Sequence, residues 1–157
     1  MRYWLMKSEP GAFGLEDLER RPQQTEGWDG VRNYQARNSM RDDMKNGDRV
    51  FFYHSNCETP GIVGIARVVR EAYPDPTAFD PDALHFDPKS DPNAPRWCQV
   101  DIRFERRLAR VISLRELKQH SEALEGFALI RRGNRLSVMP VDKAHWHFIL
   151  RLEKRKP

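Results

Sequence analysis

The chain has 157 residues, 39% of them hydrophobic and 32% charged, and a formal net charge of +4. That length fits one domain, since a second core would leave each half marginal. No stretch approaches the roughly 20 apolar residues of a membrane span. Lys7, Glu9 and Pro10 stand where an export signal would carry its apolar core, so a cytoplasmic protein is expected. Eight Phe, four Trp and four Tyr supply large buried area and argue against disorder over the whole length.

In chain order, Tyr3 to Met6 reads as a first strand and Gly14 to Arg20 as a short helix with Leu15 and Leu18 inward. Asn33 to Met44 has a helical pattern, with Tyr34, Ala36, Met40 and Met44 available to a core. Asn46-Gly47-Asp48 marks a turn. Arg49 to Ser55 and Ile62 to Arg70 then read as strands around a loop holding Pro60-Gly61. Tyr73 to Pro95 carries six of the 11 prolines, a density that forbids regular helix or central strand. It predicts a surface excursion within one domain, because strand patterns stand on both sides.

Gln99 to Arg107 alternates Val100, Ile102 and Phe104 with Asp101, Arg103 and Glu105, the pattern of a half-buried strand. Ser113 to Glu116 fits a capping box at a helix start. Gly133-Asn134 turns the chain into Leu136 to Met139. A last helix from Asp142 presents Val141, Ala144, Phe148 and Leu152 at helical spacing. Strands outnumber helices without regular alternation, which predicts a twisted, mostly antiparallel sheet or open barrel with helices outside.

Charge is unevenly spread. Residues 1–74 are neutral overall, residues 75–95 hold five Asp against Lys89, and residues 96–157 hold 15 basic and 7 acidic side chains. Arginine outnumbers lysine 20 to 7, and a basic C-terminal half with that preference points to a polyanion, nucleic acid first.

Catalytic and metal patterns are missing. His145 and His147 are two apart and fall on different helix faces. His54 with Cys57 lacks further ligands at a plausible spacing, and His85 lies in the acidic loop without a calcium-binding pattern. Cys57 and Cys98 match no metal spacing and read as free thiols in a reducing compartment. There is no nucleophile elbow and no Gly-rich phosphate loop. No cofactor, metal or catalytic residue is therefore assigned.

What stands out is a set of polar-aromatic clusters at element ends: residues 3–10 (YWLMKSEP), residues 28–38 (WDGVRNYQARN), residues 51–55 (FFYHS) and residues 135–140 (RLSVMP). An indole offers a flat face to a base, and Asn and Ser can pair with a base edge. Trp4 reads as plain core, whereas Trp28, flanked by Glu26, Gly27, Asp29 and Gly30, reads equally well as core or as binding surface.

These segments, with PGIVGIARV, WCQVDIRF and SLRELK, resemble the EVE domain family from Tyr3 to about Trp146, in the family's order. The resemblance implies an α+β, PUA-like pseudo-barrel of mostly antiparallel curved strands with peripheral helices, one domain over residues 1–157 with a Pro/Asp-rich loop at about 73–96. It also implies a non-catalytic reader of a modified base, modified cytosine in DNA first and RNA second. By similarity the base pocket would be lined by Lys7, Ser8, Trp28, Asn33, Tyr34, Tyr53, His54, Ser55, Trp97 and Ser137. Trp97 is carried over from the related YTH domains, which place a cage Trp there.

On that reading an unpaired base enters between the Trp28 loop and the strand ending at Ser55. Trp28 or Trp97 stacks on it, Asn33, Ser55 and the backbone read its edge, and Arg32, Arg37 and Arg135 hold the flanking phosphates. Two other classes stay open. One is a small enzyme acting on a modified nucleoside, with His54, Lys7 or Glu9 as acid or base. The other is a protein-interaction module docking through the acidic loop.

Overall fold

Strand β1 (Tyr3–Ser8) alternates so that Trp4 and Met6 enter one core and Leu5 enters another, on the opposite side of the sheet. The structure, a computed structural model, describes residues 1–156. Strand β3 (Arg49–His54) is divided the same way, with Val50 and Phe52 on the first face and Phe51 and Tyr53 on the second. Both strands are apolar on both sides, which is what a strand buried between two layers requires.

Among the described residues the sheet is mixed and has six strands, the others being β2 (Thr25–Gly27), β4 (Gly61–Pro74), β5 (Cys98–Ser113) and β6 (Val138–Val141). Their order is β2-β5-β4-β3-β1-β6, and the sheet does not close into a barrel. Only β1 and β3 run parallel; every other pair is antiparallel. The long β4–β5 ribbon has register shifts at four places, and β3–β4 has one after Phe52. Each such irregularity bends the strand and raises its twist, which gives the sheet the curvature of a pseudo-barrel.

Helix α1 (Pro10–Phe13), helix α2 (Leu15–Arg20) and helix α3 (Tyr34–Asn38) help cover the first face. Leu15 docks where β4 has Gly64: a Cβ there would stand 2.5 Å from its methyl carbon, so the helix approaches the backbone directly. The helix predicted over Asn33 to Met44 is shorter and changes character. Asn33 caps it by accepting from the Ala36 N–H at 3.0 Å, and residues Ser39–Asp43 open into a wider turn in which the Met44 N–H reaches the Ser39 carbonyl at 3.0 Å. The widening lets Met40 and Met44 both enter the core.

Helix α4 (Leu114–Gln119) and helix α5 (Lys143–Glu153) cover the second face. Half of the expected capping box forms: Ser113 accepts from the Glu116 N–H, but the Glu116 carboxylate turns to the Arg110 guanidinium at 2.7 and 2.8 Å. A bidentate charged pair outweighs a single backbone amide. Of the predicted stripe, Val141 and Leu152 are buried, but Ala144 is exposed and Phe148 only half-buried; helix α5 buries His145, Trp146 and Ile149 beside Leu152. The indole of Trp146 sets the rotation, stacked 3.7 Å from the Phe51 ring centroid.

Asp48 ties the first strand to the turn that precedes β3. Its buried carboxylate accepts from the Trp4 indole N–H at 2.9 Å, the Arg2 N–H at 3.1 Å and the Lys45 N–H at 3.0 Å. Asp48→Ala strands three donors, at least one of them buried. It is expected to cost about 2–3 kcal/mol of unfolding free energy, read from the denaturant midpoint at unchanged slope.

Candidate functional site

The parallel register sets Lys7 beside Tyr53 and Ser8 beside His54 at the ends of β1 and β3. Beyond that end lies a cleft of about 660 Å³. Lys7, Ser8 and Glu9 form its base, Ala12 and Phe13 one wall, and Glu26 to Asp29 the other, with Leu84 and His85 reaching in from the proline-rich segment. Arg21 stands at the margin and is paired to Glu26 at 2.6 Å.

Trp28 is 8% exposed and lines this cleft from within the first core, its ring nearly perpendicular to those of Phe52 (centroids 5.4 Å apart) and Phe13 (6.4 Å). Ser8 donates to the Phe13 carbonyl, which fixes the α1 turn against β1. Burial holds the Lys7 ammonium below the usual lysine range, and its Nζ lies 5.9 Å from the Tyr53 ring centroid. Limited hydration raises the Asp29 carboxyl above its ordinary range. Asp75 and Glu26 add to that rise, while His85 and Arg32 oppose it. Glu9, Phe13, Glu26, Asp29, Leu84 and His85 were not among the predicted pocket residues. A signal for the first two existed, since the YWLMKSEP segment runs straight into the Pro10 turn.

The remaining predicted residues lie elsewhere. Tyr53 belongs to the second core, only 3% exposed, and burial pushes its phenol up to about 12. Its strand position gives it the opposite face from Phe52. His54 is engaged at the start of α2, where Nε2 accepts from the Leu15 N–H at 3.1 Å. Ser55 donates its backbone N–H to the Ser8 carbonyl, and the Ser137 carbonyl accepts from the Lys7 N–H at 2.8 Å. Tyr34 and Trp97 form their own stack, centroids 4.9 Å apart, and the Trp97 indole donates to Asp87 at 2.7 Å. They do not line the cleft that Trp28 lines.

Among the arginines the structure separates two roles. Arg32 is committed internally. It pairs with fully buried Asp75 at 3.0 Å and donates to the carbonyls of Val31 and His85 and to the Thr77 hydroxyl. Asp75 also accepts from the N–H groups of Gly30 and Thr77. Burial alone would raise the Asp75 carboxyl; the bonds from Thr77, Gly30 and Arg32 outweigh that and hold it below its ordinary range. Arg37 donates to the Arg96 carbonyl and to Asn38 and lies over the Tyr34 ring. Arg135 is exposed and sits with Arg131, Arg132, Asn134, Asn33 and Gln35 around a shallow depression of about 250 Å³. That segment leads directly into Ser137, so it runs alongside Lys7.

Gly30 locks the loop to the acidic excursion. Its φ is +77°, and a Cβ there would meet the His85 ring at 2.5 Å. Residues 73–96 are thus held down on the Trp28 loop, and their tip forms part of the cleft wall.

An open, curved, mixed sheet with helices packed on both faces defines a PUA-like class of fold. The EVE domain family profile matches residues 2–152, and the chain belongs to that family. It is 47% identical over 171 residues to mouse thymocyte nuclear protein 1, covering 99% of this chain and 75% of that one. The zebrafish protein of the same name is 49% identical over 170 residues, covering 98% and 73%. Among solved structures, human THYN1 in complex with 5-methylcytosine-containing DNA superposes with a TM-score of 0.95 at 44% identity, covering 100% of both chains. A Pseudomonas syringae protein superposes with a TM-score of 0.91 at 50% identity, covering 96% of this chain and 99% of the other.

Two outcomes check the scaffold. His54 must be neutral to accept from Leu15, and burial, then Arg107, depress its pKa below the ordinary 6.5. A depressed histidine stabilises the fold above the unfolded-state value, and that contribution is lost as pH falls through the folded one. Melting temperature should therefore decline below about pH 6.5 more steeply in the parent than in His54→Ala. Arg32→Ala leaves the buried Asp75 charge without its guanidinium. A loss of about 3 kcal/mol is expected, with faster amide exchange in residues 73–96.

Proposed function

We propose that the protein is a non-catalytic reader of a modified cytosine in DNA, held as a single unstacked base in the Trp28 cleft. The observation that carries this reading is the indole of Trp28 lining a cleft of about 660 Å³ whose polar groups converge from β1, β2 and the acidic loop. The THYN1 complex with 5-methylcytosine-containing DNA supports the choice of base and of nucleic acid. A flat heterocycle entering beside Trp28 contacts that ring and Phe13, while Ser8 and Lys7 lie beneath it. Extracting a base from a duplex costs a few kcal/mol, so single strands and weakened pairs are preferred.

Flanking phosphates run towards Arg131, Arg132 and Arg135. Those side chains are exposed, none has an ion-pair partner among the described residues, and they adjoin the strand that carries Lys7. The excess of arginine over lysine suits this, because a guanidinium fork matches a phosphate in two places. Arg32 acts by holding the loop that carries Trp28.

Fluorescence anisotropy with single-stranded oligonucleotides carrying one central 5-methylcytosine tests the reading. Stacking on an aromatic is worth roughly 1–3 kcal/mol, so Trp28→Ala should weaken binding about tenfold. Binding of an abasic control strand should be unchanged by the substitution. Equal affinity of parent and variant for the modified strand would refute the stacking role.

A further inference from the structure

Most charged groups at the cleft already have partners. Glu26 is paired to Arg21, and Glu9 accepts from the Asn56 side chain at 3.1 Å. Two groups do not. Asp29 and Lys7 line the same cleft, and neither side chain makes a hydrogen bond or ion pair to any described residue; the Lys7 ammonium lies beside the Tyr53 ring. Lys7 is half-buried and Asp29 is exposed, so both are left able to meet a ligand that enters the cleft.

We infer that Asp29 and Lys7 are the acceptor and donor that read the hydrogen-bonding edge of the bound base, with Asp29 selecting cytosine against thymine and uracil. This rests on the cleft being the base site proposed above. A cytosine presents its 4-amino group as a donor and its O2 as an acceptor, whereas thymine and uracil present an oxygen at position 4. A carboxylate accepts from the amine and repels the oxygen. Lys7 donates to O2, which all three bases carry, so it contributes affinity without choosing among them.

The position of Asp29 fits a fixed reader. Its backbone is held by the bond from its N–H to the Gly27 carbonyl at 3.1 Å, and the next residue, Gly30, is locked against His85 and Asp75. Asp29 holds no element of the fold by a side-chain bond, so its replacement leaves the scaffold intact.

The decisive comparison is between 5-methylcytosine and thymine in otherwise identical single strands. Both carry the same 5-methyl group, and they differ only at N3 and position 4. The parent should prefer 5-methylcytosine by about tenfold or more, within the range that one well-placed base-edge contact supplies. Asp29→Asn can rotate its amide to suit either base, so the preference should fall below about threefold at an unchanged melting temperature. Lys7→Met should weaken both strands by a similar factor and keep the preference. A parent that discriminates together with an Asp29→Asn variant that discriminates equally would overturn the assignment. A parent that binds the 5-methylcytosine strand no better than an abasic strand would overturn the base-reading role itself, and the assignment with it.

Discussion

The buried carboxylate of Asp75 gathers bonds from Arg32, Thr77 and the Gly30 backbone, and through them joins segments that are distant in sequence. The loop after β2 has no regular structure of its own and would be expected to wander. Arg32 anchors it to residues 75–77 and to the His85 carbonyl, so the loop and the acidic excursion stabilise each other. Neither would hold a shape alone. Trp28 and Asp29 owe their positions to this mutual support, since both precede the clamped residues directly. Negative charge in residues 75–95 therefore has an internal use, Asp75 for Arg32 and Asp87 for the Trp97 indole, before it has any external one.

Behind the loops stands a sheet sandwiched between two separate cores. Its central strands carry apolar side chains on both faces, and a covering layer on each side is the necessary result. The parallel pairing of β1 with β3 brings their two carboxyl ends together. The cleft opens at that end, where backbone is available to shape it and the helices have not yet closed over the sheet.

Much of the fold was legible in the sequence. Strands β1, β3, β4 and the first part of β5 follow from alternation and turn residues, and the family resemblance supplied the curvature. Strand β2, only three residues long, leaves no periodic trace, and pairing β1 with β3 is a non-local choice that neither segment encodes alone. On the last helix Leu152 is buried as expected but Ala144 and Phe148 are not, because spacing counts positions and takes no account of how strongly one indole prefers to stack on Phe51. The residues of the candidate cleft were legible in part. Lys7, Ser8 and Trp28 meet in one cleft, while Tyr53, Tyr34 and Trp97 do not join them there. An aromatic residue type reveals that a ring is flat without revealing which way it faces. Arg32 has the chemistry of a phosphate ligand, yet a buried aspartate 43 positions away claimed it.

The order of the strands bears on how the protein comes into being. Strand β1 is made before the other five strands, yet one of its two neighbours, β6, follows all of them, as does the indole that packs under Phe51. During synthesis on the ribosome β1 has one edge without a partner until β2 to β5 have emerged. Contacts that span so much chain are slow to form. The nascent protein should consequently acquire its cleft late and in one cooperative step, and an incomplete chain would offer chaperones an apolar, open-edged strand.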